Sequence, residues 1–151
     1  MNPKLIAFAI RRRLICTAVF AGKTLEYLDI THLSNQAQTA MNSVSRVVSR
    51  ASEHFKPDSA ALAISRRNRG ERVQQLTEQA ETLLTAAGIP IQRVEQEVLL
   101  ENYSVSPLKN KAALRAIALS LWPQVEKRKI HALDAALAGF YVQVERVLSQ
   151  H

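Results

Sequence analysis

Short runs of consecutive apolar residues alternate along this chain with longer segments in which apolar residues recur every three or four positions. An uninterrupted apolar run indicates a buried strand, whereas a spacing of three or four indicates one face of a helix. The runs predict strands at residues 5–10, 14–20, 24–30, 59–64 and 89–94. The helical spacing predicts helices at residues 35–55, 70–87, 95–100 and 109–121, and a last helix from about residue 130 to the end.

Local residues indicate where several of these elements begin and end. Ser34 is predicted to cap the first helix, and Gly88 is predicted to stop the second, because glycine tolerates the left-handed conformation that often ends a helix. The arginine triplet at residues 11–13 and the turn at residues 21–23 separate the first three strands by tight connections. These three strands are therefore expected to form an antiparallel meander.

The order of the elements predicts the fold class. Three strands come first, and helices then alternate with two further strands, which predicts a mixed five-stranded sheet with helices on both faces. The strand at residues 59–64 is apolar throughout, as expected for a strand that is covered on both sides. The sequence thus predicts one α/β domain over residues 1–151, with the element order of the ribonuclease H-like fold. A Rossmann or flavodoxin-like fold would need a helix directly after the first strand.

The composition indicates a globular domain, and the net charge indicates a class of binding partner. Hydrophobic residues make up 47% of the 151 residues and charged residues 22%, which is typical of a globular domain. The single Cys16 cannot form an internal disulfide and lies in an apolar run, so a buried thiol is expected. The formal net charge of +7 favours a polyanionic partner such as nucleic acid. Without a secretory signal or an apolar stretch long enough to span a membrane, a cytoplasmic protein with no membrane partner is expected.

Several phrases together resemble the Holliday-junction resolvase family of the RuvC type. They include the opening meander, the phrase at residues 55–58 that leads into the fourth strand, the Gly88-Ile89-Pro90-Ile91 entry to the last strand, and the run at residues 132–138. The last of these, Ala-Leu-Asp-Ala-Ala-Leu-Ala, is the most specific. The resemblance implies a ribonuclease H-like fold, a DNA partner and an association of two copies.

The resemblance also implies a site for two metal ions, which this sequence largely lacks. Such enzymes hydrolyse phosphodiesters with metals held by carboxylates on the first strand, at the end of the fourth strand and in the first turn of the final helix. The first-strand acid corresponds to Ala9 or Ile10, the acid that closes the fourth strand to Ser65, and the two acids of the final helix to His131 and Asp134. One acid in four remains, so no metal is expected unless Asp134 binds one.

Basic residues cluster in the segments where the resemblance places those acids. In this fold the ends of strands one and four and the start of the last helix converge, and a phosphate backbone would relieve the repulsion among cations gathered there. Each basic cluster could equally be a separate solvated patch. The candidate nucleic-acid-binding residues are Arg11, Arg12, Arg13, Arg66, Arg67, Arg69, Lys109, Lys111, Arg115, Lys127, Arg128 and Lys129.

Three hypotheses follow for the function. The first is a protein that binds branched or duplex DNA through phosphates, without a cofactor and with little or no catalysis. The second is an active nuclease that uses Mg²⁺ or Mn²⁺ in a rearranged site, with Asp134, His131 and one of Glu95, Glu97 and Glu101 as the residual candidates. The third is a scaffold that keeps the fold and binds another protein.

Overall fold

The sheet is built outward from its first strand. In the computed structural model, which describes residues 3–64, 70–103 and 111–149, β1 (Lys4–Ile10) is the central strand of five. It pairs antiparallel with β2 (Leu14–Ala21) and parallel with β4 (Ser59–Ile64). Strand β3 (Thr24–His32) lies antiparallel outside β2, and β5 (Ile91–Glu95) lies parallel outside β4. The predicted meander and the mixed five-stranded sheet are confirmed, with the order β3-β2-β1-β4-β5.

Alternation along β1 divides the core into two layers. Ile6, Phe8 and Ile10 are buried against α1 (Ala37–Phe55) and α2 (Glu71–Ala86). Leu5, Ala7 and Ala9 are buried in the opposite layer, because successive side chains of a strand point to opposite faces. That second layer is covered by α3, α4 and α5, which span Gln96–Tyr103, Lys111–Leu121 and Leu133–Ser149. The helices predicted to flank the sheet on both faces are therefore present.

Two predicted helix starts differ from the structure. Helix α1 has Gln36 as its N-cap, and the hydroxyl of Ser34 instead accepts a hydrogen bond from the Gln36 N–H at 3.1 Å. Serine commonly bonds the backbone two residues on, and this alternative delays the helix. The last helix was expected from residue 130, but a 3₁₀ helix at Lys127–Ala132 comes first and α5 begins at Leu133. The predicted stop at Gly88 is confirmed by its positive φ of 75°.

Helix α5 is fixed to the start of the sheet by a buried polar contact. Gln143 is 1% exposed, and its Nε2 donates a hydrogen bond to the carbonyl oxygen of Pro3 at 2.9 Å. The predicted burial of Cys16 is also confirmed, and its Sγ donates to the carbonyl oxygen of His131 at 3.5 Å. Within the described ranges, no helix combines the length and apolar character needed to cross a membrane.

Helix α5 passes very close to β2 at Gly139. A Cβ atom on Gly139 would lie 2.8 Å from Cε2 of Phe20 and 3.1 Å from the Cβ of Ala7. The Phe20 ring is fully buried and packs against Trp122 and Phe140, at centroid distances of 5.9 and 6.5 Å. Trp122 and Phe140 also pack against each other, at a centroid distance of 5.7 Å. Phe20 therefore belongs to a cluster of three rings and, being fully buried, cannot easily move away from a larger residue at position 139.

Gly139→Ala is expected to lower the free energy of unfolding by about 1–3 kcal/mol through overpacking. Helix propensity alone would favour alanine by about 1 kcal/mol, so the sign of the change tests the close approach. Denaturant unfolding followed by circular dichroism measures it. The cost should shrink in a Phe20→Leu background, and equal costs in both backgrounds would contradict the contact.

Candidate functional site

The carboxyl ends of three strands meet the start of α5 at one edge of the sheet. Strands β1, β4 and β5 are mutually parallel, so all three end at this edge. Arg11 follows β1 directly, and Asp134 lies in the first turn of α5. The sheet alternation carries residue 11 to the same face as Ala9, which is packed in the α5 layer. Arg11 therefore points toward α5.

Arg11 and Asp134 form an ion pair at this edge. An Nη of Arg11 contacts Oδ2 of Asp134, and their side chains are 16% and 26% exposed. Burial lowers the pKa of Arg11, an electrostatic interaction with Cys16 raises it, and the positive charge of Arg115 lowers it. The first turn of a helix also favours the negative charge of Asp134. The residual acid of the site is thus neutralised by a cation of the protein itself.

A small cavity of about 30 Å³ lies beneath this pair. Apolar side chains from β1, β4, β5 and the three covering helices form most of its wall, including Ala63, Val94 and Leu114. Arg11 and Asp134 are the charged residues among those that line it, and Gln96 is a neutral polar one. A cavity of this size admits about one or two water molecules.

The two positions proposed for the first-strand acid lie on different faces of β1. Ile10 is buried on the opposite face, among the residues that pack against α1 and α2. Ala9 lies on the α5 face, but the side chain that reaches Asp134 belongs to Arg11. Residues 5, 7 and 9 share the α5 face, so the register of β1 places residue 11 on that face, whereas the uninterrupted apolar run at residues 5–10 gives no local signal for it. Ser65 lies outside the described residues.

The remaining acids and His131 do not assemble around Asp134. His131 is an exposed residue of the 3₁₀ helix, Glu95 is exposed at the end of β5, and Glu101 is exposed on α3. Glu97 is half-buried in the first turn of α3. Over residues 3–64, 70–103 and 111–149, no group of three or more such side chains could hold a metal ion. Among the described residues, the carboxylate that lines the cavity is that of Asp134, and it contacts a guanidinium, so these residues do not fit the metal pair that the resemblance implies.

The basic residues fall into three groups. Arg12 and Arg13 are exposed at the turn between β1 and β2. Arg128 is exposed on the 3₁₀ helix, where its Nε donates to Glu126 at 2.5 Å and lowers the pKa of that carboxyl, and Lys129 is half-buried nearby. Arg115 is half-buried on α4. Four other predicted binding residues lie outside the described part of the chain: Arg66, Arg67, Arg69 and Lys109. For two more, the structure describes the backbone but not the side chain: Lys111 and Lys127.

Arg72 supports the arginine turn and was not anticipated. It lies in the first turn of α2, and its guanidinium donates to the carbonyl oxygens of Arg12 at 3.0 Å, Asn35 at 2.9 Å and Ser34. The N–H of Leu33 donates to the carbonyl oxygen of Arg13 at 2.7 Å. The backbone that presents Arg12 and Arg13 is therefore held by α2 on one side and by the end of β3 on the other. No spacing in the sequence indicates this role.

No protein-family model matches the chain, and neither does any curated protein. Among solved structures, RuvC of Thermus thermophilus resembles it with a TM-score of 0.79 at 12% identity, over 95% of this chain and 96% of that one. T. thermophilus RuvC in complex with a Holliday junction substrate gives 0.73 at 14% identity, over 95% and 97%. The yeast mitochondrial Holliday junction resolvase Ydc2 gives 0.64 at 12% identity, over 96% and 81%. At such identities the comparisons show the fold, and the expected ribonuclease H-like architecture of the RuvC type is confirmed.

The ion pair is expected to contribute to stability. Asp134→Asn leaves the half-buried Arg11 without its carboxylate, and Arg11→Met removes the cation. A double-mutant cycle with both changes should give a coupling of about 1–2 kcal/mol, between the values typical of exposed and of buried pairs. Chemical denaturation of the four proteins measures it, and additive effects would show that the two charges do not interact.

Proposed function

We propose that this protein binds DNA through backbone phosphates at the carboxyl edge of its sheet, without a metal ion and without cleaving the strand. The observation that carries the proposal is the contact between Arg11 and Asp134. It places a permanent positive charge beside the acid that a metal would need.

The electrostatics of the pair argue against hydrolysis that depends on metal. Mg²⁺ retains its water unless carboxylates replace it, and two-metal catalysis needs several of them. A divalent cation at Asp134 would have to displace Arg11 or lie against it, and like charges at such a distance in a half-buried site repel strongly. Arginine also stays protonated at any physiological pH. A nuclease with Asp134, His131 and a glutamate gains no support from the described residues.

The exposed arginines supply the attraction to a polyanion. Arg12 and Arg13 project from a turn whose backbone is fixed on two sides, and the whole chain carries a net charge of +7. Each phosphate neutralised by such a residue releases condensed counterions, a gain that does not depend on sequence. Contacts of this kind orient a protein on a nucleic acid and do not read its bases.

The structural neighbours support a branched substrate. One of them is described as bound to a Holliday junction, and it matches nearly the whole of this chain. We extend the proposal to four-way junction DNA on that basis, and to a pair of copies, as the resemblance to RuvC-type resolvases implies. Sedimentation of the free protein and of the complex would measure the number of copies.

Binding to a four-way junction is expected to weaken steeply with salt. Each phosphate contact contributes about 0.9 to the slope of log affinity against log salt concentration. Gel shifts of a junction, a duplex and a single strand over a range of salt concentrations measure the slope and the preferred shape. Affinity that hardly changes between low and moderate salt would contradict phosphate binding and favour a protein partner.

The arginine turn is expected to matter more than equal charge elsewhere. Arg12→Ala/Arg13→Ala removes two exposed cations at the carboxyl edge, and Arg46→Ala/Arg50→Ala removes two exposed cations from α1. Both variants lose the same long-range attraction, but the first should also lose charge-assisted contacts, each worth about 1.5–3 kcal/mol in gross terms. Junction affinity is compared after circular dichroism shows that both variants fold. Equal losses would mean that the charge acts as a diffuse field.

Arg11→Asp is expected to create a response to divalent cations that the natural protein lacks. Two adjacent carboxylates repel each other, and a bound cation would relieve that repulsion. Mn²⁺ should therefore raise the unfolding temperature of Arg11→Asp but not that of Arg11→Asp/Asp134→Asn. Natural protein that nicks junctions with Mg²⁺ or Mn²⁺, and loses this activity in Asp134→Asn, would refute the proposal.

A further inference from the structure

Arg72 joins three separate segments of the chain at the carboxyl edge of the sheet. Each of the three nitrogens of its guanidinium donates a hydrogen bond to a backbone carbonyl oxygen. Nε donates to Arg12 in the turn between β1 and β2, and the two Nη atoms donate to Asn35 and Ser34, shortly before α1 begins. Because Arg72 itself lies in the first turn of α2, the arginine turn and the starts of both helices are fixed to one another.

A second contact fixes the same turn from another direction. The N–H of Leu33, a buried residue just beyond β3, donates to the carbonyl oxygen of Arg13 at 2.7 Å. The carbonyl groups of Arg12 and Arg13 belong to consecutive peptide planes, and the φ and ψ angles of Arg13 lie between those planes. When both carbonyl groups are held, these two angles are set. The direction in which the Arg13 side chain leaves the backbone is then set as well.

We propose that Arg72 is a positioning residue for phosphate binding. It holds Arg12 and Arg13 in the arrangement in which they contact the DNA backbone, and it does not contact a phosphate itself. The inference rests on the proposed function, because it concerns how the exposed arginines of that surface are presented. Without Arg72 the turn would have to be ordered when DNA binds, and the conformational entropy lost at that step would weaken binding.

The geometry explains why this position needs an arginine. A guanidinium presents its N–H donors in a rigid planar fork, whereas a lysine ammonium is a single nitrogen at the end of a flexible chain. A lysine at position 72 keeps the positive charge but cannot reproduce three donors at separate places. The contacts with Arg12 and Asn35 are exposed, so water can bond these carbonyl oxygens when the guanidinium is absent. Arg72→Lys is therefore expected to fold and to release the turn.

The first experiment compares Arg72→Lys with Arg46→Lys in the full chain. Both replace one arginine by lysine in a helix and leave the net charge unchanged, and Arg46 is exposed on α1. Arg72→Lys is expected to weaken binding to a four-way junction about tenfold, as when the backbone of about one residue must be ordered on binding. The slope of log affinity against log salt should not change, because no phosphate contact is lost. Arg46→Lys should bind as the natural protein does.

The second experiment tests whether Arg72 acts through the exposed arginines. Arg72→Lys is introduced into Arg12→Ala/Arg13→Ala, and the four proteins form a double-mutant cycle in junction affinity. The lysine change should cost about tenfold in the natural background and almost nothing where Arg12 and Arg13 are absent. Arg72→Gln repeats the cycle with a side chain that has fewer donors and no charge. Its loss of long-range attraction is common to both backgrounds and cancels in the cycle.

Hydrogen exchange of the free protein gives a measurement that does not involve DNA. The amide of Leu33 reports on the turn because its acceptor is the Arg13 carbonyl oxygen. The amide of Ala7, at the centre of the sheet, reports on unfolding of the whole domain. In Arg72→Lys, exchange at Leu33 should accelerate by a larger factor than exchange at Ala7. A residue that only stabilises the fold would accelerate both by the same factor and leave the affinity of the folded protein unchanged.

Three results would overturn the positioning role. The first is a folded Arg72→Lys that binds the junction as tightly as the natural protein. The second is an equal loss of affinity with and without Arg12 and Arg13. The third is a salt slope that falls by about 0.9 in Arg72→Gln, which would show that Arg72 contacts a phosphate directly.

Failure of the broader proposal gives a different pattern. If the natural protein binds no nucleic acid at any salt concentration, the proposed function fails and the inference fails with it. If Arg12→Ala/Arg13→Ala loses affinity but Arg72→Lys does not, phosphate binding by the arginine turn stands and the role of Arg72 alone is refuted.

Discussion

The central position of β1 is the constraint on which the rest of the structure depends. The strand is covered by helices on both faces, so each of its side chains is committed to one of two layers by its place in the sequence. Small residues at positions 7 and 9 allow α5 to lie close to the sheet, and the same approach leaves no room for a side chain at Gly139. Arg11 continues the odd-numbered series beyond the end of the strand. Its guanidinium meets Asp134 because the strand directs it there.

That contact changes the kind of electrostatics available at the site. A metal ion is exchangeable, and a site of carboxylates without metal is negatively charged. The guanidinium of Arg11 belongs to the protein itself and stays protonated at any physiological pH, so Asp134 keeps a positive partner without a metal. The surrounding arginines extend the same sign outward to solvent, while Arg72 fixes the backbone of their turn through three carbonyl oxygens. Some of the cations therefore stabilise the backbone at the carboxyl edge of the sheet, and others are exposed and supply positive charge to the surface.

The elements of the fold were predictable, because uninterrupted apolar runs and three-to-four spacing are local properties of a sequence. The positions of side chains depended on packing between distant segments. Arg11 contacts Asp134, and Arg72 donates to backbone carbonyl oxygens. Neither arginine differs in its local sequence from the arginines that remain exposed to solvent, so these roles could not be predicted. Gly139 lies inside a helix and not in a turn. A glycine is needed there because the Phe20 ring of β2 leaves no room for a Cβ atom. The missing acids could be read from residue types, but the residue that replaces them required the register of β1.

The contact between Gln143 and Pro3 joins residues 140 positions apart, and the Cys16 contact with the His131 carbonyl spans 115. During synthesis, the meander and the layer formed by α1 and α2 leave the ribosome well before α5 does. One face of the central strand must therefore stay open until nearly the whole described chain has emerged. Closing so long a loop is slow, and an apolar sheet face exposed meanwhile is a surface on which chains associate. A chaperone that covers this face, or slow translation of the segment that contains α5, would reduce such association.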